Sequence, residues 1–599
     1  MQIGVPSLLQ PGASLGSVPG SVPGTALDFA AGDAAPTVAR AASATYWNAS
    51  GVLSTAGANT GRIQHDPLSR ERLGQLIEDS TGANLIVQSN ALDQAVWIKG
   101  ACTITANTNE VADPAGGNAA DIIFETATTA NHGITKTVTI SAPATDITVT
   151  EYCIIKARDR GRVVYIGVGK ASVQTAINLT TAASDAQYTT NSANMIKAYA
   201  EPLGGGWVLC MLQFVVAAGA TSYQTILRLC DLTTGQNTSY LGDITKGIYH
   251  YHSQSRFGGQ FDMPIFTAAA ALTRDQDVSN RSIASWWDPL KSSLTFEGRS
   301  RKSSGQSIVA QIDDGSENNR IRFWRDTSGE GRLLVTSGGV DQLNEDLGVW
   351  SDDSDRSLAV AFLNGSIRYS INGGAVVSAA LATPPVGLTT WRDGLDSAGI
   401  GAHTILRRRA GYARVLSDTE LRAKSLKRIS GSVWDVGDSI TGGSVTGQTF
   451  TATYPILLSN AMSRRTFNAG VGGQTSTQIL ARVLAELDRT NWIWIINAGR
   501  NDGSAQSTIL ANIASMVAAM PSNNQCFGVL SIPFATGDAQ ATKDYIAAEN
   551  AALAAAYPGN FINLDWTTVT RVSDGLHPDD AGLATITAAV QAYIVGKGW

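Results

Sequence analysis

Residues 492–502 read Trp-Ile-Trp-Ile-Ile-Asn-Ala-Gly-Arg-Asn-Asp, an apolar run that stops at a glycine and continues into polar residues. Short runs rich in β-branched and aromatic residues are typical of strands buried on both faces of a parallel sheet. The same character recurs at 432–436, 527–532 and 561–564. These runs predict a buried parallel sheet in the last part of the chain.

Stretches of helical character separate these runs. Apolar residues recur at helical spacing in 476–487 and 509–520, and 539–557 is rich in alanine. The stretch 578–595 opens with Pro578, a residue favoured in the first turn of a helix. Because strands and helices alternate, we expect a sheet covered on both sides, with its reactive loops at the carboxyl ends of the strands.

Four short segments occur in this part of the chain in a fixed order, and three of them place Ser439, Asn501 and His577 just beyond an apolar run or on the last loop. The four are Gly437-Asp438-Ser439, Gly472-Gly473, Gly499-Arg500-Asn501-Asp502 and Asp574-Gly575-Leu576-His577. A Gly-Asp-Ser tripeptide alone is easily found by chance, so the information lies in the combination and its order. Together the segments predict a hydrolase.

The residue types indicate which atoms would react. A serine hydroxyl becomes a good nucleophile when a neighbouring base removes its proton, and His577 is the one histidine in 431–599. Asp574, three residues earlier, can accept the other imidazole N–H and hold the ring in the required tautomer. We therefore predict Ser439, His577 and Asp574 as the catalytic residues.

The charge that develops on an attacked carbonyl oxygen needs donors that are already in place. We predict three for this oxyanion hole: the backbone N–H of Ser439, the backbone N–H of Gly473 and the side-chain amide of Asn501. Glycine at 473 allows the backbone to approach a substrate closely.

These motifs resemble the SGNH, or GDSL-like, hydrolase family over residues 431–599. Gly437-Asp438-Ser439-Ile440-Thr441 looks like the family's first block and 470–475 like its second, while 499–502 is similar to the third and 574–578 to the fifth. The resemblance implies a three-layer, flavodoxin-like α/β domain at 429–599. It also implies esterase or deacetylase activity without a metal or other cofactor.

The length, net charge and apolar content of the chain limit the number of domains and the class of partner. A chain of 599 residues should hold about four domains. The net charge of −6 argues against nucleic acid as the main partner, and we interpret the one basic cluster, Arg407-Arg408-Arg409, as a solvated strand end. No apolar stretch approaches the roughly 20 residues of a membrane span, and the N-terminus does not resemble a signal peptide.

The cysteines are scattered at no metal-like spacing. They are Cys102, Cys153, Cys210, Cys230 and Cys526. We expect free, buried thiols, which fits assembly in a reducing cytoplasm.

Residues 1–85 differ from the rest of the chain. Residues 1–26 are rich in Gly, Pro and Ser and contain no aromatic residue, so we expect them to be extended and ordered only against a partner. Residues 27–85, with Leu27-Asp28-Phe29 and Gly74-Gln75-Leu76-Ile77-Glu78, resemble a leader segment common in tail proteins of phages. The resemblance implies a segment that docks to the phage particle.

Residues 86–273 read as short strands separated by Gly, Asn, Asp and Ser clusters, a pattern that predicts a β-sandwich. The opening at 84–90, followed by Trp97, looks like the carbohydrate-binding-module jelly rolls of phage tail proteins. Trp97, Trp207, Tyr249 and Tyr251 could present flat faces to sugars, although aromatics in a sandwich are more often core, so the sugar-binding residues stay unknown.

The histidines of this region, His250 and His252, alternate along one predicted strand. They could suggest a metal pair. Because a third ligand is lacking nearby in the sequence, we interpret them as ordinary strand residues, and no metal site is predicted.

Residues 274–428 form a second β-rich block, with a tight turn predicted at Asn372-Gly373-Gly374. Its ending, 411–421, resembles the last strand and helix turn of concanavalin-like, laminin-G-like sandwiches. Ser417 can cap a short helix with Glu420 three residues on. The predicted fold is thus multidomain, with jelly-roll and concanavalin-like sandwiches preceding the α/β domain.

The parts suggest a phage tail fibre or tailspike protein that resides in the virion after assembly in the host cytoplasm. Its expected partners are a bacterial surface polysaccharide, which the last domain would deacetylate, and other tail or baseplate proteins, reached through the N-terminal segment. We expect a homotrimer, with neither a nucleic-acid partner nor a membrane span. Two alternatives stay open: a non-catalytic receptor-binding fibre, and a secreted bacterial GDSL esterase or lipase.

Overall fold

The structure is a computed structural model. It describes residues 21, 26–29, 32–79, 83–179, 183–185, 193–230, 239–300, 306–351, 354–399, 401, 403–443, 453–485, 489–521 and 524–599. Most of the predicted extended segment, 1–26, lies outside the described residues, and so does the end of the predicted helix 476–487, at 486–487.

The leader consists of short strands joined by turns. They are β1 (Leu27–Asp28), β2 (Ala44–Trp47), β3 (Leu53–Ala56), β4 (Arg62–His65), β5 (Arg72–Ile77) and β6 (Ala83–Asn84). β2 pairs with β3, and β4 pairs with β5, both antiparallel.

The next part of the chain is a set of antiparallel strands. They are β7 (Ile98–Gly100), β8 (Cys102–Thr105), β9 (Asp121–Glu125), β10 (Thr129–Ala130), β11 (Gly133–Thr139), β12 (Ile147–Ala157), β13 (Arg162–Val168), β14 (Ser172–Asn178), β15 (Ala183–Asp185), β16 (Met195–Gly204), β17 (Trp207–Val216), β18 (Ser222–Leu229), β19 (Tyr240–Leu241) and β20 (Gly247–Phe257). Two sheets, ordered β15-β14-β13-β18-β11-β7 and β16-β17-β12-β20-β9-β8, enclose one apolar core. The predicted strands are confirmed; the jelly-roll assignment stays a prediction.

One strand shows how the leader is attached. Along β12, Val149 and Cys153 face the core between the two sheets. Tyr152 and Ile154 face the opposite side, where they share a second apolar cluster with Trp47 of the leader. β12 is therefore covered on both faces, which explains why all of its residues from 149 to 155 are buried.

The four aromatic residues considered as sugar platforms are buried, with relative exposures of 2% for Trp97, 4% for Trp207, 8% for Tyr249 and 4% for Tyr251. Trp97 Nε1 donates to Gln88 O at 2.9 Å. Rings this buried cannot present a face to sugars at the protein surface, so the core interpretation applies to all four.

His250 and His252 are buried on β20, as expected of strand residues. Nε2 of His250 lies 2.8 Å from Ser253 Oγ, and Nε2 of His252 lies 3.3 Å from Gln254 Oε1. Burial lowers the pKa of both imidazoles to about 3, so both are neutral at physiological pH.

The third part is a second pair of sheets. Its strands are β21 (Leu272–Thr273), β22 (Ser279–Ser282), β23 (Ser293–Ser300), β24 (Ser307–Asp313), β25 (Arg320–Arg325), β26 (Glu330–Ser337), β27 (Val340–Val349), β28 (Asp355–Leu363), β29 (Ser366–Ile371), β30 (Val377–Ala380), β31 (Thr390–Asp393) and β32 (Thr404–Tyr412). One sheet is ordered β22-β31-β24-β25-β26-β27, and the other β30-β29-β28-β23-β32-β5-β4, with β1 also paired to β32. Leader strands therefore complete a sheet of this block. The concanavalin-like assignment stays a prediction.

Two local predictions in this block are confirmed. Asn372 and Gly373 both have positive φ, 51° and 79°, in the turn after β29. The helix α1 (Asp418–Lys424) begins with a capping box in which Ser417 and Glu420 bond each other's backbone N–H.

The basic triplet is not a solvated strand end, and that prediction is wrong. Arg407 and Arg409 lie within β32 with relative exposures of 2% and 1%. Arg407 Nη1 lies 2.9 Å from Asp355 Oδ2, and Arg409 Nε lies 3.5 Å from Asp393 Oδ1. The arginines can be buried because carboxylates on β28 of the same sheet and β31 of the other sheet compensate their charge.

Buried ion pairs join the leader to the second sandwich, and the second sandwich to the first. Arg40–Asp277, Arg62–Asp277 and Arg274–Glu78 connect the leader to the second sandwich, and Arg274–Asp262 connects the two sandwiches. Arg62–Glu78 lies within the leader and Arg256–Asp262 within the first sandwich. Burial lowers the pKa of His403 to about 4, so its contact with Asp79, at 2.9 Å, is a hydrogen bond of a neutral imidazole. Burial tends to raise the pKa of Glu78, but the charges of Arg274 and Arg62 outweigh it and hold that pKa at about 2. Glu78, Asp262 and His403 also lie close enough together to suggest metal ligands, but the two carboxylates are already paired with arginines.

The C-terminal domain is α/β. Its elements are β33 (Val433–Gly437), α2 (Ser439–Gly442), α3 (Tyr454–Met462), β34 (Thr466–Gly470), α4 (Ser476–Ala485), β35 (Ile493–Asn497), α5 (Gln506–Ala518), β36 (Phe527–Leu530), α6 (Gln540–Ala556), β37 (Phe561–Ile562) and α7 (Asp580–Gly596). The strands are parallel and ordered β34-β33-β35-β36-β37, which is the 2-1-3-4-5 order of flavodoxin-like sheets.

The predicted strands and helices of this domain are confirmed to within a few residues, with four differences. The short helix α2 was not predicted, and neither were α3 and β34, whose residues have a mixed polar and apolar pattern. Pro578 is not in the first turn of the last helix, because Asp579 is the N-cap and its side chain accepts the Gly582 N–H.

All five cysteines are buried and free, as predicted. Within the described ranges, no helix combines the length and apolar character that crossing a membrane requires.

Candidate active site

The serine of the Gly-Asp-Ser motif lies where the first strand of the parallel sheet meets a short helix. β33 ends at Gly437, and Ser439 is the first residue of α2. Asp438 caps this helix, since its Oδ1 accepts the Ile440 N–H at 2.9 Å. A Cβ atom at 437 would collide with Thr441 Oγ1, so the turn requires glycine there. The local sequence thereby places Ser439 at the carboxyl edge of the sheet.

A continuous chain of hydrogen bonds runs through the predicted catalytic residues. His577 Nε2 lies 2.8 Å from Ser439 Oγ, and His577 Nδ1 lies 2.6 Å from Asp574 Oδ2. An ionised carboxylate only accepts, so Nδ1 carries the imidazole proton and Nε2 is left to accept the serine hydroxyl. Residues 138 positions apart in the chain are thus brought together in the order that proton removal from Ser439 requires.

The loop that carries His577 is shaped by Asp574 itself. Asp574 Oδ1 accepts the backbone N–H groups of Leu576 at 2.8 Å and His577 at 2.9 Å, while Gly575 takes a φ of +72°. Partial burial tends to raise the pKa of Asp574, but the hydrogen bonds from His577 and Leu576 outweigh it and hold that pKa below its usual range. The carboxylate therefore stays ionised at neutral pH.

Two of the three predicted oxyanion donors are available. Within the part of the chain that the structure describes, the backbone N–H groups of Ser439 and Gly473 have no hydrogen-bond acceptor. Gly473 has a φ of +76°, and a Cβ atom on Gly472 would lie 3.7 Å from Ser439 Cβ. The glycine loop therefore runs directly beside the serine, and Gly473 is required by its backbone conformation.

The third predicted donor, Asn501, lies beside these groups but its amide is engaged. Asn501 Nδ2 donates to Gln474 O at 2.9 Å and to Asp438 Oδ2 at 3.3 Å. The amide thus bridges the serine loop and the glycine loop. To donate to a bound oxyanion it would have to give up the longer of the two bonds, the one to Asp438.

Asp438 is a site residue that the sequence analysis did not assign. Burial raises its pKa to about 6, although the Ile440 N–H and the positive charges of His577 and Arg500 act in the opposite direction. Its two oxygens hold the start of α2 and the amide of Asn501. The signal that could have revealed it is its place in Gly-Asp-Ser, directly before the serine.

Two further carboxylates hold the loop that carries Asn501. Asp502 Oδ2 accepts the Ser476 N–H at 2.8 Å, and Asp502 Oδ1 accepts the Ser476 hydroxyl at 2.6 Å. Arg500 Nη2 lies 3.0 Å from Asp538 Oδ1. These bonds connect the loop after β35 to the start of α4 and to the loop before α6, so the position of Asn501 does not depend on its own contacts alone.

The arrangement is suited to acyl transfer through a covalent intermediate. His577 can take the proton of Ser439 as the hydroxyl attacks a carbonyl carbon, and Asp574 can stabilise the imidazolium that results. The N–H groups of Ser439 and Gly473 lie beside the same hydroxyl, where the carbonyl oxygen would become charged.

Replacing Asn501 by alanine is expected to lower kcat for p-nitrophenyl acetate about 100- to 1000-fold, the usual cost of losing one oxyanion donor. KM should change little, because the donor acts mainly in the transition state. Steady-state kinetics would measure both constants. The matched control is Asn563→Ala, at an exposed position outside this site. An Asn501→Ala variant with unchanged kcat would show that the amide only bridges the two loops.

Comparison with known proteins assigns this region to a family. The model of the GDSL-like Lipase/Acylhydrolase family matches residues 436–584, which include Ser439, Gly473, Asn501, Asp574 and His577. No curated protein matches the chain.

Solved structures of two kinds are among those similar to parts of the chain. A protein provisionally described as lipolytic and of the G-D-S-L family, from Desulfitobacterium hafniense DCB-2, is 21% identical with a TM-score of 0.24, and the match covers 27% of this chain and 99% of that one. A member of the lipolytic G-D-S-L family from Veillonella parvula DSM 2008 is 13% identical with a TM-score of 0.24, covering 27% and 96%. The CBM40 of a Ruminococcus gnavus IT-sialidase is 14% identical with a TM-score of 0.21, covering 24% and 91%.

The family match covers only the C-terminal part of the chain, so it identifies a domain and not the whole protein. Within that domain the family model and the hydrogen-bonded site coincide. The C-terminal domain of this chain is therefore supported as a GDSL-like, or SGNH, hydrolase domain.

Proposed function

We propose that this protein is a phage tail fibre or tailspike protein whose C-terminal domain is a serine esterase that removes acyl groups, above all O-acetyl, from a bacterial surface polysaccharide. The observation that carries the enzymatic part is the hydrogen-bond chain from Asp574 through His577 to Ser439, at 2.6 and 2.8 Å. Two unoccupied N–H groups beside the serine, those of Ser439 and Gly473, supply the oxyanion hole in this proposal.

The reaction has two halves in this proposal. Ser439 Oγ bonds to the acyl carbon as its proton passes to His577 Nε2, and the carbonyl oxygen accepts from the Ser439 and Gly473 N–H groups. The tetrahedral intermediate expels the sugar alkoxide, which takes the proton from His577. Water then attacks acyl-Ser439 with His577 again as base, which releases acetate and restores the serine.

The exposure of the site supports a substrate carried on a polymer. Gly472, Gly473, Asn501 and Asp574 are all exposed, and Ser439 is half-buried. A long polysaccharide could thus bring an ester group to the serine without the whole polymer having to enter a closed pocket. An acetyl group is a very small acyl group and needs little enclosure.

The proposed phage context comes from the segments before the hydrolase domain. The leader resembles those of phage tail proteins, and in the structure it packs on one sandwich and completes a sheet of the other. Assembly as a homotrimer, attachment to tail or baseplate proteins and location in the virion are parts of this proposal.

We expect the full chain to release acetate from an O-acetylated bacterial surface polysaccharide, with loss of the acetyl signals in its NMR spectrum. The Ser439→Ala variant should release none, and chemically de-O-acetylated polysaccharide should yield none with either protein. Mass spectrometry of purified virions would test the location. Polysaccharide binding without acetate release would contradict the esterase proposal and leave a non-catalytic receptor-binding fibre.

A further inference from the structure

A cleft of about 730 Å³ lies where three parts of the chain meet. The leader contributes Trp47 and Arg70, the first sandwich contributes Lys156 and the turn 204–206, and the hydrolase domain contributes Ser463. Clefts of this size at domain junctions commonly bind small molecules or segments of polymers.

The cleft is separate from the catalytic site. Ser463 shortly precedes the strand β34, which starts at Thr466, so it lies at the amino edge of the parallel sheet. Ser439 follows the last residue of β33 and lies at the carboxyl edge. A ligand in the cleft would therefore lie at the opposite end of the sheet from the reacting serine.

The charged groups of the cleft are mainly positive. Arg70 is exposed, and within the described residues its guanidinium has no carboxylate partner; Lys156 Nζ donates only to the Gly205 carbonyl, at 2.7 Å. Of the described lining residues, Asp113 is the one carboxylate, and it is buried. Its oxygens accept the backbone N–H groups of Ala115 and Ala119, both at 2.8 Å, and in the described structure it forms no salt bridge with Arg70 or Lys156, so both cations stay available to a ligand.

This local charge contrasts with that of the whole chain, which is −6. A polyanion would be repelled by most of the surface and attracted where cations lack partners. Both Arg70 and Lys156 can donate to a carboxylate, Arg70 with two parallel bonds.

The rest of the lining suits a saccharide. Gly205 and Gly206 are exposed and present backbone groups without side chains, which can bond sugar hydroxyls. Pro67, Leu68 and Pro202 also line the cleft, and because they are partly exposed they supply its apolar surface. A small number of charged groups with backbone donors and an apolar base is the composition expected of a site for a polar, ring-shaped ligand.

We propose that this cleft binds carboxylated sugar residues, with Arg70 and Lys156 holding the carboxylate. The inference rests on the proposed function for the source of the sugar, an acidic bacterial surface polysaccharide. In that setting the cleft would anchor one part of the polymer while Ser439 acts on another part.

Isothermal titration calorimetry of the full chain with oligogalacturonate and with oligosialate tests the cleft directly. At least one should bind, and reduction of its carboxyl groups should abolish binding. The double variant Arg70→Gln/Lys156→Gln should bind roughly 100-fold more weakly, about 10-fold for each charged hydrogen bond lost. Wild-type binding should also weaken as salt is added, because the contacts are charged and partly exposed.

The matched control is Arg422→Gln/Lys291→Gln, which removes the same charge at exposed positions outside the cleft. It should bind as the wild type does. Failure of both acidic oligosaccharides to bind, equal binding of the carboxyl-reduced sugar, or unchanged affinity in the Arg70/Lys156 variant would each overturn the proposal. Titration with inorganic phosphate separates a general anion site from a sugar site: equal affinity for phosphate would also overturn it.

Hydrolysis of p-nitrophenyl acetate keeps this inference distinct from the proposed esterase. The Arg70→Gln/Lys156→Gln variant should retain the wild-type kcat, since the cleft lies at the other edge of the sheet. Binding of acidic sugar without ester hydrolysis would contradict the esterase proposal and support the cleft proposal. Ester hydrolysis without binding of acidic sugar would contradict the cleft proposal and support the esterase proposal.

Discussion

Replacing Ser439 by alanine is expected to lower kcat for p-nitrophenyl acetate by on the order of 10⁴-fold or more, the range seen when a serine hydrolase loses its nucleophile. The reason is that no acyl-enzyme can form, while the N–H groups of Ser439 and Gly473 remain to bind the carbonyl oxygen. KM should stay within a few-fold of the wild-type value. Steady-state kinetics and the burst of p-nitrophenol at high enzyme concentration would measure the loss.

The fold should survive this change. In the described structure the Ser439 hydroxyl bonds only His577, and the start of α2 is held by Asp438. Circular dichroism and thermal unfolding should therefore match the wild type. Ser507→Ala, at an exposed position in α5, is the matched control and should retain full activity. Undiminished turnover by Ser439→Ala would place the nucleophile elsewhere.

The effects of replacing Ser439 and His577 on kcat should not add. A Ser439→Ala/His577→Ala double variant is expected to be no slower than Ser439→Ala alone, because the histidine has no proton to remove once the hydroxyl is gone. A further large loss in the double variant would mean that His577 also acts outside the hydrogen-bond chain.

Much of this site could be predicted from sequence because its geometry is mostly local. Asp574 and His577 are three residues apart on one turn, and Asp574 bonds that turn's own backbone. Ser439 follows a strand whose apolar run is easy to recognise. The place of Asp438 directly before the serine could have revealed its cap on α2, but its bond to Asn501, 63 positions away, could not be predicted from local sequence.

The fold of the residues before the hydrolase domain was harder to predict from sequence, because it too depends on contacts between residues far apart in the chain. β32 pairs with β23 and with β5. The residues of β5 lie more than 300 positions before β32 in the chain, and the sequence pattern of one strand does not indicate partners so far away. The charge of Arg407 and Arg409 therefore suggested a solvated strand end. Their partners Asp355 and Asp393 lie on other strands, and only the folded sheet shows that the charges are compensated.

Replacing Asp574 by asparagine is expected to lower kcat by about 10³- to 10⁴-fold, with KM nearly unchanged. Asparagine keeps the shape, so its oxygen can still accept the Leu576 and His577 backbone N–H groups. Its amide nitrogen would then face His577 Nδ1 and donate to it. That bond stabilises the tautomer with its proton on Nε2, which cannot accept the Ser439 proton.

The expected loss is at the lower end for such a change because the Asp574 side chain is 38% exposed, so water can replace part of its stabilisation of the imidazolium. Asp565→Asn, at an exposed position in the turn after β37, is the matched control and should retain full activity. The pH dependence separates orientation from charge. If Asp574 acts by fixing the tautomer, the Asp574→Asn variant should stay slow throughout the neutral range. Full recovery of kcat at higher pH would contradict this account, because the wrong tautomer persists as long as the introduced amide donates to Nδ1.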